Sequence, residues 1–125
     1  MKGEYKIISK IKPLLPSLKE RNRYVAFEII SKDKIASFDS VSQAIWDSSI
    51  NFLGELELGK AGLRMFKDSW EAGSQKAVLK VSHEYVNKII TSLSLVDEIN
   101  KVPVMIHTLG TSGILKKSKK RYLAS

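Results

Sequence analysis

A split βαβ sandwich of the α+β class is what this sequence predicts, on two observations. Runs with two-residue apolar alternation and runs with helical spacing follow one another as strand, helix, strand, strand, helix, strand. The chain has 125 residues, which suits one hydrophobic core rather than two.

The first stretch holds Pro13 and Pro16 among basic residues, and the prolines break any helix there, so it reads as an extended arm, residues 1–22. From Arg23 to Ser31, Val25, Phe27 and Ile29 alternate with Tyr24, Ala26 and Glu28, which predicts a strand with one strongly apolar face. Asp39 or Ser40 then caps a helix running to about Leu53, with Gly54 as its stop. Two strands follow, at about 63–70 and 75–82, joined by the polar link Glu71-Ala72-Gly73-Ser74 as a hairpin. A second helix spans about His83 to Val96, with Val86, Ile89, Ile90, Leu93 and Val96 on one face. Asn100-Lys101 turns the chain into a last strand, Val102 to Leu109, and Gly110-Thr111-Ser112-Gly113 closes it as a loop. Right-handed crossovers bring four strands into one antiparallel sheet with both helices on one face, the ferredoxin-like or RRM-like arrangement. The single domain is residues 23–113, and residues 114–125 form a tail. The expected core is Phe27, Ile45, Phe52, Leu79, Ile89, Leu93 and Ile106.

Charge placement narrows the function. The net charge is +8, yet residues 25–113 alone are at −2, and residues 1–24 and 114–125 carry +5 each. Basic ends on a near-neutral body are the pattern of arms for a polyanion, whereas a merely solvated surface scatters its charges. The candidate RNA contacts are Lys19, Arg21 and Arg23 at one end, and Lys116, Lys117, Lys119, Lys120 and Arg121 at the other. The Gly110–Gly113 segment is a candidate phosphate-contacting loop, because successive backbone amides in such turns hold anions. Trp46 and Ile50 widen the apolar face of the first helix beyond one stripe and are candidates for contact with a protein partner.

Other chemistries fall away. There is no cysteine, which excludes disulfides and cysteine-based metal sites. His83 and His107 have no ligand or triad partner at useful spacing, and no catalytic residue, metal or cofactor is expected. Residues 54–61, Gly-Glu-Leu-Glu-Leu-Gly-Lys-Ala, approach a P-loop but end in Ala61, without the hydroxyl that holds magnesium, and Glu55 and Glu57 would repel phosphate; the expected form is a loop. The segment 31–36 lacks the glycines and arginine of an acylphosphatase anion cradle. The third strand, 75–81, carries no aromatic residue for RRM-style stacking. Tyr5, Tyr24 and Tyr122 lie in or beside the basic ends, where they either stack on bases or pack on the sheet. No apolar run has the length of a membrane span, charges interrupt the N-terminus before a signal core forms, and the cytoplasm is the expected location.

Four segments in register resemble one family. Arg23-Tyr24-Val25-Ala26-Phe27-Glu28-Ile29 looks like the opening strand of ribonuclease P protein component two, the Pop-five family of archaea and eukaryotes, in its archaeal form. Leu53-Gly54-Glu55 with Ala61-Gly62-Leu63-Arg64, then Ser92-Leu93-Ser94-Leu95-Val96, then Leu109 to Lys117, resemble its later segments; Ile114 stands where the family often has threonine. The resemblance implies a non-catalytic subunit of the ribonucleoprotein that removes 5′ leaders from precursor tRNA, with the RNA subunit holding the catalytic metals. It also implies two kinds of partner: ribonuclease P RNA with precursor tRNA, and a barrel-shaped protein subunit. The alternatives left open are another RNA-binding ribonucleoprotein subunit of the same fold and a small-molecule regulatory domain.

Overall fold

The computed structural model describes residues 21–35 and 37–114. Its centre is β1, Asn22–Ser31, in which Val25, Phe27 and Ile29 are buried on one face as the alternation requires. Helix α1, Phe38–Ala61, follows; then β2, Arg64–Met65, a 3-10 turn at Lys67–Ser69, and β3, Lys76–Ser82. A 3-10 turn at His83–Tyr85 leads into α2, Val86–Ser94, and the chain ends in β4, Glu98–Ile99, and β5, Val102–Ser112. The sheet order is β2-β3-β1-β5-β4, with every pairing antiparallel. Without its short edge strand β4 this is the expected split βαβ sandwich.

The core lies between the sheet and the helices. Val41, Ile45, Leu58 and Ala61 of α1 and Ile89 and Leu93 of α2 join Val25, Phe27, Leu79, Val81 and Ile106 of the sheet in one buried cluster. The two helices meet through small side chains: Ser49 and Ser92 are fully buried, and the Ser48 hydroxyl donates to the Ser92 carbonyl at 2.7 Å.

The structure departs from the sequence reading at several points. The cap of α1 is Ser37, whose hydroxyl accepts from the Ser40 amide at 3.4 Å, rather than Asp39 or Ser40. Gly54 does not end the helix. Its backbone breaks at φ 83°, ψ 163°, a region almost confined to glycine, and the helix resumes through Ala61 to cap at Gly62 with φ 61°. Residues 55–61, expected as a loop, are therefore helical, and they resume because Leu58 and Ala61 reach the core. Phe52, expected inside, is 46% exposed: the core-facing stripe of this turn passes through Ser49 and Leu53 instead. The strand expected at 63–70 shrinks to Arg64–Met65, because the chain turns at Lys67–Ser69 and the Ser69 hydroxyl bonds both the amide and the carbonyl of Val78. The final strand runs on through Ser112, so Gly110, Thr111 and Ser112 are paired strand residues opposite Ala26, Val25 and Tyr24, not a loop; Leu109 is the extra residue of a bulge. Asn100 and Lys101, at φ 53° and 66°, form the two-residue hairpin turn that creates β4.

Two polar clamps hold the periphery. Gln75 is buried at a left-handed φ of 53°; its amide nitrogen donates to the Ile29 carbonyl at 2.9 Å and its side-chain oxygen accepts from the Ile35 amide at 2.6 Å. The second half of α1 is tied to the start of α2 by Tyr85, whose hydroxyl donates to Glu57 at 2.5 Å. That hydrogen bond holds the Glu57 carboxyl below its ordinary value of 4.5 and holds the Tyr85 phenol above its ordinary value of 10.0.

Candidate nucleic-acid interface

β1 begins where β5 ends. Tyr24 pairs with Ser112, so the chain enters the body at Arg21 and leaves it at Ile114 side by side, at one end of the sheet. Both basic segments attach there. Arg21 is exposed, and its carbonyl accepts from the His83 amide at 2.8 Å, which fixes the entry strand against the turn before α2. Arg23 is half-buried; its guanidinium donates to the Asn22 carbonyl at 3.0 Å and sits close to Gly113, 3.8 Å from the position a Cβ would take there. Thus Arg23 and the 110–113 segment come together, and Arg21 stands at the same end of β1 against His83. Lys19, Lys116, Lys117, Lys119, Lys120 and Arg121 lie outside the described residues, as do Tyr5 and Tyr122. Pairing with β1 gives 110–112 the form of a strand rather than a cradle of consecutive amides, and the Ser112 hydroxyl accepts from the Ile114 amide at 3.1 Å.

Beside this end the sheet carries a group that sequence reasoning missed. On the face away from the helices, Tyr24 pairs with Lys80, and Lys80 pairs with Arg64. Phe66, just after β2, lies 6.1 Å from the Tyr24 ring, centroid to centroid, and the Arg64 guanidinium sits 5.4 Å from the centre of the Phe66 ring. Strand register and ring contacts join these residues, which stand far apart in the chain. The one signal in the sequence was Tyr24, noted as beside the basic arm.

The opposite side of the molecule has different chemistry. Trp46 is 42% exposed on α1, whereas Ile50 is half-buried and packs against the core, so of the two only Trp46 projects freely. Close to it an open groove of about 920 Å³ runs between α1 and the segment 95–100. Asp39, Asp47, Asp97 and Glu98 line it together with exposed Phe52 and Leu95, and among the described residues no lysine or arginine does. Such a groove repels phosphate and leaves apolar surface open. His107 meets Glu28 at 3.1 Å on the sheet face, and among the described residues no group of three His, Asp or Glu side chains is placed to hold a metal. No helix of the described residues is long and apolar enough to cross a membrane.

Residues 23–123 match the Rpp14/Pop5 family, across the whole sheet and both helices. The chain belongs to that family. Its Rpp14/Pop5 relatives include ribonuclease P protein component 2 of Pyrococcus abyssi, 36% identical over 92% of this chain and 95% of the relative. The protein of the same name from Pyrococcus horikoshii is 36% identical over 94% of this chain and 96% of its own length. That of Archaeoglobus fulgidus is 34% identical over 90% and 98%. A chain in the cryo-EM structure of yeast ribonuclease MRP shares the fold, with a TM-score of 0.57, at 15% identity over 85% of this chain and 88% of that one. The Rpp14/Pop5 match ends inside the basic C-terminal segment and starts after Lys19 and Arg21, so those two basic residues lie outside it.

Proposed function

We propose that this chain is a non-catalytic protein subunit of ribonuclease P, cytoplasmic, which binds the RNA subunit and precursor tRNA and so assists removal of the 5′ leader. The observation that carries the reading is the meeting of the two basic ends at one end of the sheet, in a member of the Rpp14/Pop5 family. Each segment has net +5, and both join, at the same end of the sheet, a body that is itself slightly acidic. Long-range attraction then orients the protein on RNA before any close contact forms.

In this reading Arg21, Arg23 and the basic residues Lys19, Lys116, Lys117, Lys119, Lys120 and Arg121 take phosphates, with Thr111 and Ser112 beside them. The acidic groove and Trp46 on α1 face away from RNA and receive a protein subunit, the barrel-shaped one by family resemblance. The domain reading follows: a folded body of 23–113 between an arm, 1–22, and a tail, 114–125.

The test is reconstitution. Precursor-tRNA cleavage is measured with the RNA subunit, its protein partners and this chain, and then with this chain left out. Cleavage should fall markedly on omission, and the purified chain without RNA should cleave nothing. Unchanged cleavage on omission sinks the reading. The tail is tested separately: replacing Lys116, Lys117 and Lys120 with Ala should weaken RNA binding and flatten the slope of log affinity against log salt by about two units, at roughly 0.7 for each lost phosphate contact.

A further inference from the structure

The group on the sheet face away from the helices goes beyond phosphate binding. We infer that Tyr24 and Phe66, flanked by Arg64 and Lys80, form a site that stacks an unpaired base of RNA. The inference rests on the RNA-binding reading above and names a contact within it.

Register carries the first part of the argument. Ser112, Tyr24, Lys80 and Arg64 are successive partners across β5, β1, β3 and β2, so they make one row over four strands. Their neighbours Val25, Leu79 and Met65 point the other way, into or against the core. The row therefore lies on the face that neither α1 nor α2 covers. Its residues are a hydroxyl, a phenol, an ammonium and a guanidinium, with no carboxylate among them. Glu28, farther along the same face of β1, meets His107 at 3.1 Å and pairs in register with Lys76.

Ring chemistry carries the second part. Tyr24 and Phe66 are inclined to each other by 31°, and both are half-buried, so each ring is fixed along one side and keeps an open part. Rings held this way give up little freedom when a base settles on them. The Arg64 guanidinium, exposed and lying over the Phe66 ring, presents a positively charged plane on which a base can stack in its turn. Lys80 stands between Tyr24 and Arg64 in the row, within reach of the phosphate that a stacked nucleotide brings with it. Flat rings for bases beside cations for phosphates are the two parts of a single-strand site. The third strand's lack of aromatic residues does not forbid it, because the rings come from β1 and from the residue after β2.

Location carries the third part. The row begins at Ser112, at the end of the sheet where the chain's two basic segments attach.

The test uses the full chain and three probes: a ten-nucleotide oligouridylate, inorganic polyphosphate of equal charge, and precursor tRNA in the reconstituted enzyme. Oligouridylate should move the ring-proton resonances of Tyr24 and Phe66 upfield, and polyphosphate should not. Phe66→Leu, which keeps apolar volume but removes the ring, should weaken oligouridylate binding about ten-fold, with an unchanged salt slope and unchanged affinity for polyphosphate. Arg64→Gln, at an exposed side chain where folding is not at stake, should weaken oligouridylate binding and flatten the slope by roughly 0.7. Should Phe66→Leu not fold, the ring shifts and Arg64→Gln decide alone. Absent ring shifts, wild-type affinity in folded Phe66→Leu, or no binding of oligouridylate by the wild type overturn the inference. If cleavage still needs the chain in those cases, the stacking site falls and the subunit reading stands; if omission of the chain has no effect, the subunit reading falls by its own test.

Discussion

Gln75 does more than fill the turn before β3. It is a non-glycine residue at φ 53°, a conformation that costs roughly 1–2 kcal/mol, and its side chain satisfies the Ile29 carbonyl and the Ile35 amide in a buried setting. Gln75→Ala keeps the backbone cost and strands the Ile35 amide, so it should destabilise the fold by about 2–3 kcal/mol. Gln75→Gly loses the same hydrogen bonds but relieves the backbone, and should cost less than the alanine variant. Denaturant midpoints of the two variants check the order; equal losses would mean that the turn carries no strain. A second pair separates core from surface. Leu93 is fully buried, so Leu93→Ala should cost about 2–5 kcal/mol, whereas Phe52→Ala, at a side chain 46% exposed, should cost under about 1 kcal/mol. The core-facing residues were legible where their spacing was regular: Phe27, Ile45, Leu79, Ile89, Leu93 and Ile106 are all buried. Phe52 was misplaced because an aromatic on a broad apolar helix reads as core, while only the packed structure shows that the facing side of this turn is taken by Ser49 and Leu53.

At the scale of elements, the break at Gly54 and the Glu57–Tyr85 bond act together. Gly54 turns the axis of α1, and the hydrogen bond to Tyr85 holds the second half against α2. Gly54→Ala places a Cβ in a backbone region almost closed to it and should cost about 1–3 kcal/mol, although nothing lies within 4 Å to clash with the added atom. The bond also gives the junction a pH window. Glu57 titrates lower when folded than when unfolded, so its contribution is present above the ordinary value of 4.5 and is lost as pH falls through the depressed folded value. Tyr85 titrates higher when folded, so its contribution is present below the ordinary value of 10.0 and is lost as pH rises through the raised folded value. Tyr85→Phe should remove the alkaline limb and shrink the acid one, to which Lys60 and Lys88 also contribute, and so flatten the profile of melting temperature against pH at both ends. Helix continuation past Gly54 was not legible, since a glycine after an apolar stripe has the form of a helix stop, and what restarts the helix is the tertiary burial of Leu58 and Ala61. β1, β3 and α2 were legible because their apolar periods are unbroken. The row Tyr24–Lys80–Arg64 was not, because register is a property of pairing and leaves no mark in any one segment.

For the whole molecule, the division of charge orders the functional reading: basic attachments at one end of the sheet, the aromatic row on the face away from the helices, and an acidic groove between α1 and residues 95–100. RNA affinity should therefore respond unequally to charge changes. Asp47→Lys, in the groove, should leave oligouridylate binding within about two-fold of wild type, because exposed charges beyond a Debye length of about 10 Å are screened at 0.1 M salt. A large gain would place RNA on the helix side and overturn the assignment of faces.

The pairing of β1 with β5 bears on how the chain is born. β1 is the central strand and the first element of the body to leave the ribosome, yet one of its two neighbours is the last, with residue 24 waiting for residue 112. Until then the nascent β1 has only β3 to pair with, and the backbone N–H and C=O groups along its other edge stay unpaired by β5. So distant a contact also puts the loop-closure cost late, which slows folding relative to a body built from local pairings. A ribosome stalled just after Lys101 should hold a chain that limited proteolysis digests readily, and one stalled well beyond the tail should hold a resistant body. The step that completes the sheet thus waits for β5, the last strand of the described residues, to emerge.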